Sequence, residues 1–173
     1  GLLQVPPSDL GQVEIIKGAA SALYGGQALG GVINLVSKYP GSEPSGEVIL
    51  NATTREGQDI SGYGEAKLNN LFRSSFLANV SRQSAQDLDE DQWIDMPSYH
   101  RVAMRPRLFY ESDEGTTALL TVGVMNEDRQ GGTVPNGLTP NGKSFPQDQK
   151  TKRLDAGIKL SHPINDTISL EVR

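Results

Sequence analysis

The sequence predicts a mostly β chain in which a short glycine-rich unit precedes a long run of antiparallel strands. Three observations predict it. From about residue 47 onward, side-chain polarity alternates with a period of two, the period of a strand with two unlike faces. The alternating segments are joined by connections that are short and long in turn. No apolar run approaches the roughly 20 residues of a spanning helix; the longest candidate, Gly30 to Val36, is interrupted by Asn34.

The first unit, residues 1–39, is dense in glycine and small apolar residues. Gln12-Val13-Glu14-Ile15-Ile16-Lys17 reads as a short strand. Ala19-Ala20-Ser21-Ala22-Leu23-Tyr24 reads as one or two helical turns, closed by Gly25-Gly26, where a left-handed residue is cheap. Gly30-Gly31 turns the chain into a second strand, Val32-Ile33-Asn34-Leu35-Val36-Ser37. Residues 40–46, with Pro40-Gly41-Ser42-Glu43-Pro44, form a linker.

In residues 47–173 the windows 47–55, 61–69, 72–81, 101–111, 118–127, 153–161 and 168–173 read as seven strands. One face carries Val48, Leu50, Ala66, Phe72, Phe76, Val80, Val102, Met104, Leu108, Tyr110, Leu120, Val124, Leu154, Ile158 and Leu170, and no charge. The other carries Glu65, Arg73, Arg101, Arg105, Arg107, Glu111, Glu127, Arg153, Asp155 and Lys159. Asn69-Asn70-Leu71, Ser112-Asp113-Glu114-Gly115 and Pro163-Ile164-Asn165-Asp166 read as short turns, and 82–100 and 128–152 as long polar loops. Glu56-Gly57-Gln58-Asp59 reads as a short turn where a long loop is due.

A face so charged belongs in water, and the neutral face must meet a core or lipid. Several neutral-face residues are small (Gly62, Gly64, Ser74, Ala78), which suits lipid tails better than a sandwich core that must be filled. Short turns at one end, long loops at the other and the aromatic residues Phe72 and Tyr110 beside short turns are the pattern of an outer-membrane barrel. Pro106 counts against it, since it removes one ladder hydrogen bond.

Composition excludes other classes. Hydrophobic residues make up 36% and aromatic residues 6%, lean for a sandwich core but too patterned for disorder. Net charge is −5 with no long run of either sign, which argues against nucleic acid as a partner. Without cysteine there are no disulfides or thiolate metal sites. Gly1-Leu2-Leu3-Gln4 does not open a signal peptide, and Arg173 falls inside a strand-like stretch, so both ends read as cut.

The stretch from Val13-Glu14-Ile15-Ile16-Lys17-Gly18 through Ser21-Ala22-Leu23-Tyr24-Gly25 to Gly30-Gly31-Val32-Ile33-Asn34-Leu35-Val36-Ser37-Lys38 resembles the C-terminal part of the plug domain of TonB-dependent outer-membrane receptors. Ala19 stands where the family commonly has proline, a helix-start preference that is replaceable. The resemblance implies a plug remnant followed by the first transmembrane strands of a 22-stranded barrel. It implies a receptor in the outer membrane of a Gram-negative bacterium, embedded in its lipid, for active uptake of a scarce nutrient. The nutrient expected first is a ferric siderophore, then haem or a cobalamin. TonB is the implied partner, through an N-terminal segment absent from these residues.

The resemblance places Tyr24, Gly25, Gly26 and Gln27 at the plug's outward surface, where the aromatic hydroxyl suits a polar chelate; the alternative is a ring that packs the plug beside permissive glycines. Glu14 and Lys17 match a charged pair that contacts the barrel wall; the alternative is a solvated strand edge. Arg101, Arg105 and Arg107, with Arg73 and Arg153, line the charged face against an acidic plug surface, attract an anionic ligand, or are simply solvated. Trp93 lies in an acidic loop that contacts a ligand or cation at the outer surface, or is simply a solvated loop with one half-buried aromatic. His100 and His162 stand apart, so no metal site is expected, and no cofactor. The glycine loop lacks the Gly-Lys-Ser/Thr ending of a phosphate cradle, and no nucleophile–base set is visible, so no catalysis is expected. A second reading of the chain is a soluble all-β module that binds carbohydrate or protein through its loops; it needs a second sheet to bury the neutral face.

Overall fold

The computed structural model describes residues 10–17, 31–165 and 168–172. The chain divides into two compact units, Gly1–Pro40 and Gly41–Arg173. All regular structure among the described residues is β-strand, and no helix there is long and apolar enough to cross a membrane, which says nothing of a β-barrel.

In the first unit, β1 (Leu10–Ile16) pairs antiparallel with β2 (Val32–Ser37), the branched residues Val13, Ile15, Ile33 and Val36 favouring the extended backbone. Gly31 enters β2 at φ 110°, and a Cβ there would lie 2.5 Å from the carbonyl oxygen of Ile16. Only glycine fits that approach. The helical turns expected at 19–24 and their Gly25-Gly26 closure lie outside the described residues.

The second unit is one seven-stranded sheet: β3 (Ser45–Ala52), β4 (Gly57–Lys67), β5 (Phe72–Gln83), β6 (Ser98–Glu111), β7 (Thr117–Gly132), β8 (Pro146–Pro163) and β9 (Ser169–Val172). Strand order follows chain order and every neighbouring pair is antiparallel. Three tight connections share one device, a polar side chain that accepts backbone N–H groups across the turn. The Asn69 carboxamide oxygen accepts from Leu71 and Phe72 (2.8 Å each), the Ser112 hydroxyl from Thr116 (3.1 Å), and the Asn165 oxygen from Ile168 (2.9 Å).

Two expectations are corrected. The turn between β3 and β4 falls at Thr53–Glu56, with the Thr53 hydroxyl accepting from Gly57 N (3.0 Å) and Glu56 at φ 60°. Gly57, Gln58 and Asp59 are therefore strand residues, and Arg55 is a turn residue. Also, β5 to β8 outrun their predicted windows at the loop end. The apolar alternation stops near Val80, Val102, Val124 and Leu154, but the ladder continues through Gln83, Ser98, Gly132 and Pro146. The two loops shrink to 84–97 and 133–145.

Burial is inverted relative to a water-soluble sheet. The polar face is sheltered: Ser61, Ser75, Asn79, Ser81, Arg101 and Glu127 are all buried, with Tyr63, Leu77, Phe109 and Met125 among them. The apolar face is open, with Ile60 at 54%, Phe76 at 49% and Leu154 at 76% exposure. An apolar band of this extent far exceeds the patches of a soluble surface. At its short-turn edge Phe72 and Tyr110 are direct cross-strand partners with ring centroids 5.2 Å apart. Pro106 keeps register with Phe76 on β5, while the pairing of β6 with β7 lapses at Arg105 and Pro106. The missing donor is absorbed on one side only.

Candidate functional site

The sheltered face of the second unit is organised around two carboxylates, each shared by two arginines. Glu127 on β7 accepts from Arg101 Nε on β6 (2.5 Å) and from Arg129 Nε (3.2 Å). Both guanidinium carbons also lie over the Tyr99 ring, 5.0 and 5.4 Å from its centroid, a cation–π arrangement. Asp155 on β8 holds Arg105 (Nη1 to Oδ2, 2.8 Å; Nη2 to Oδ1, 3.1 Å) and Arg153 (2.8 Å). Each group keeps one surplus positive charge. Arg73 reaches Glu111 at 3.9 Å and Lys159 reaches Glu171 at 3.1 Å. Arg73, Arg101 and Arg105 are thus tied across strands rather than simply solvated, and the β6–β8 wall is cationic while Glu47, Asp59 and Glu65 lie on the same face of β3 and β4.

Arg105 crosses from β6 over β7 to reach β8 because Gly123 leaves the path open. A Cβ at Gly123 would overlap both the Arg105 guanidinium and the Asp155 carboxylate. We expect Gly123→Ala to swing Arg105 off Asp155 at a cost of about 1 kcal/mol, the low end for overpacking because the obstructed atoms end a flexible side chain. A midpoint shift in urea unfolding checks it, and Arg105→Gln in the same background should then add little.

At the loop end, 84–97 and 133–145 are joined by backbone. Ile94 N donates to Gly132 O (2.8 Å), Val134 N to Gln92 O (2.9 Å), and Leu138 N to the Gln92 carboxamide (3.1 Å). Trp93 packs on Phe145 with centroids 5.9 Å apart. Asp87, Asp89 and Asp95 bring carboxylate oxygens within 4.8 Å of one another. Asp87 and Asp95 already accept the backbone N–H groups of Gln92 (3.0 Å) and Leu88 (2.7 Å), so they brace the loop. Desolvation, then the charges of Asp91 and Asp95, raise the Asp89 pKa. The folded loop therefore binds that proton more tightly than the unfolded chain, and acidification into the carboxylate range favours the folded loop at this residue.

Of the residues singled out in the sequence, Glu14 is on β1 opposite Asn34 and accepts from Asn34 Nδ2 (2.8 Å) and Gln12 Nε2 (3.1 Å). Its carboxylate is engaged within its own sheet. Lys17 follows β1 and is exposed. Tyr24, Gly25, Gly26 and Gln27 lie outside the described residues. His162 Nδ1 and the Thr116 hydroxyl are 2.8 Å apart, and His100 is exposed on β6. Sequence reasoning missed Arg129 and Tyr99, because both lie where strand was read as loop; continuing the parity of β6 and β7 by two residues would have found them.

Residues 1–32 match the family described as TonB-dependent Receptor Plug Domain. Over 96% of its length the chain is 28% identical to the ferrichrome outer membrane transporter/phage receptor of Escherichia coli (strain K12), covering 24% of that protein. Over 76% of its length it is 30% identical to the ferrioxamine receptor of Yersinia enterocolitica, covering 17% of it. The siderophore receptor PiuA from Acinetobacter baumannii has the same fold over 95% of this chain and 25% of its own (TM-score 0.72, 22% identity). The chain thus spans a quarter or less of the length of the relatives it matches. Residues 1–32 thus carry the plug signature of TonB-dependent receptors, and the sheet that follows, with its apolar face open and its polar face sheltered, has the fold of a receptor-barrel segment.

Proposed function

We propose that the receptor containing this chain sits in the outer membrane of a Gram-negative bacterium and takes up a ferric siderophore, with haem or a cobalamin as the next ligand classes, driven by TonB acting on the plug. The observation that carries the reading is the coupling of the Val13–Lys38 plug signature to a sheet that is polar on its sheltered side and apolar where lipid would lie. The relatives' names (ferrichrome, ferrioxamine) favour the siderophore class. In this reading residues 1–39 end the plug, 40–46 link it to the barrel, and Glu14 and Lys17 belong to the plug's contact with the barrel wall.

An antibody against 128–152 tests the location in fractionated cells. A band in the outer-membrane fraction, well above the 18.6 kDa of this chain, is expected; a soluble band at that mass sinks the reading. Iron-starved growth on single ferric siderophores, with and without the gene, then assigns the ligand.

Tyr24, with Gly25, Gly26 and Gln27, is proposed to meet the ligand at the plug's outward surface. Tyr24→Ala should weaken ligand binding about tenfold, the loss expected of one well-placed aromatic contact, with unchanged receptor abundance. Wild-type affinity in that variant would assign Tyr24 to plug packing.

A further inference from the structure

We propose that Glu65 is a positioning residue for transport: its carboxylate fastens the start of β3 to β4, so that traction on the plug is stopped at Gly41. The proposal rests on the uptake reading above, in which TonB acts on the plug.

Residues 40–46 read as a linker from their composition, but one end of the sheet holds them by a single side chain. Glu65 Oε1 on β4 accepts from Gly41 N (3.3 Å) and from the Ser45 hydroxyl (2.9 Å), and Oε2 accepts from the Tyr63 hydroxyl (2.7 Å). One carboxylate therefore ties down both ends of the arc from Gly41 to Ser45. Hydrogen bonds to an ionised acceptor are roughly twice as strong as neutral ones. Tyr63 is buried, so packing keeps its hydroxyl from swinging away. Pro40, fully buried, and Pro44 bracket the arc, and their rings fix the backbone at each end and leave it little slack. Gly41, Ser45, Tyr63 and Glu65 all belong to the second unit, so the fastening is internal to it. It bears on the plug only because the chain is continuous from Pro40 to Gly41.

The place of these bonds in the ladder matters more than their number. Ser45 and Glu65 form the first pair of β3 with β4. A load arriving along the chain from the plug reaches β3 at Ser45 and opens the ladder one pair at a time from that end. β3 has little else to resist it. All eight of its residues are exposed, and among the described residues it pairs with β4 alone. β4, in contrast, is paired along its whole length with β5. The side-chain bonds thus stand at the one pair where peeling must begin. Chain ahead of Gly41 can be drawn out while its far end stays fixed, and the plug refolds from the same point after each cycle.

The test pulls the whole receptor, reconstituted in a supported bilayer, with a force-probe tip carrying TonB, and measures the chain length released before the tip detaches. Wild type should stop short of β3. In Glu65→Ala the stop is lost, and pulls should lengthen by about 40 Å, the extended length of residues 41–52 at roughly 3.4 Å each. Glu65→Gln keeps the shape of the side chain and an oxygen that accepts from Gly41 and Ser45. It should lengthen fewer pulls than the alanine, and it carries the test if the alanine variant does not fold. Resistance of the barrel band to unheated detergent gels checks folding. Asp59→Ala removes the bond from Asn51 (3.1 Å) at the far end of the same ladder and should leave the wild-type stop. A role for Glu65 in general stability would make the two alanine variants alike.

Wild-type pulls that already include the added length overturn the proposal, as does a Glu65→Ala receptor that stops where wild type does. Either result leaves the uptake reading standing, since TonB has gripped the plug and unfolded it. A receptor that TonB does not grip takes the uptake reading down and this proposal with it.

Discussion

Replacing Glu127 by alanine is expected to destabilise the sheet by about 3–5 kcal/mol, the range for removing one partner of a buried ion pair. Glu127 is 4% exposed and is the shared acceptor of Arg101 and Arg129. Arg101 is itself buried, so losing the carboxylate strands a guanidinium out of water. It also leaves two cations facing one Tyr99 ring with nothing between them. The loss should exceed that of Glu111→Ala, whose partner Arg73 lies at 3.9 Å and is more exposed. Urea unfolding of the refolded receptor in lipid vesicles measures both. The pair Arg101→Met with Glu127→Leu should recover much of the stability, because apolar residues of similar volume replace a buried pair at little net cost. A single Glu127→Ala loss under 1 kcal/mol would mean that water reaches the group and that the wall is not sheltered there.

The same cluster shows what the sequence announces and what it withholds. Parity separates charged from neutral faces because a strand has only two sides, so Arg101 and Glu127 are assigned to one face from the residue pattern alone. Their pairing needs register, and register is set by the turns. Asn69, Ser112 and Asn165 mark three turns through side chains that accept backbone N–H groups. The β3–β4 turn was misplaced because Gly57 was read as a turn glycine. The strained position is Glu56, and Gly57 opens the strand beside Thr53. Strand ends are withheld for a different reason. An apolar alternation reports where lipid contact ends and not where hydrogen bonding ends, so β7 and β8 continue through Asp128, Gln130, Lys150 and Asp148, residues that look like loop. Tyr99 and Arg129 were hidden by that same polarity. For the plug, the glycine at 31 is legible because a Cβ there would strike the Ile16 carbonyl, whereas the setting of Tyr24 lies beyond the described residues.

Phe76→Arg tests the other face. From Phe72 to Val80 along β5 the apolar residues span eight steps, about 27 Å at roughly 3.4 Å each. Tilted by about 40°, that length gives a band about 21 Å tall, close to the roughly 25 Å apolar band of outer-membrane barrels. Phe76 sits at its centre, opposite Pro106 and 49% exposed. An arginine there is too far from either edge to bring its charge to water cheaply, so a loss of about 2–4 kcal/mol is expected in lipid. Arg82 is already tolerated six residues farther along the same strand, on the same face, because it lies beyond the band. In water the sign reverses: a sheet whose apolar face met solvent would lose an exposed aromatic, gain a charge, and be no less stable. Unfolding in vesicles therefore separates the two environments with one substitution. Unchanged stability of Phe76→Arg would move this face out of the hydrocarbon and take the barrel reading with it.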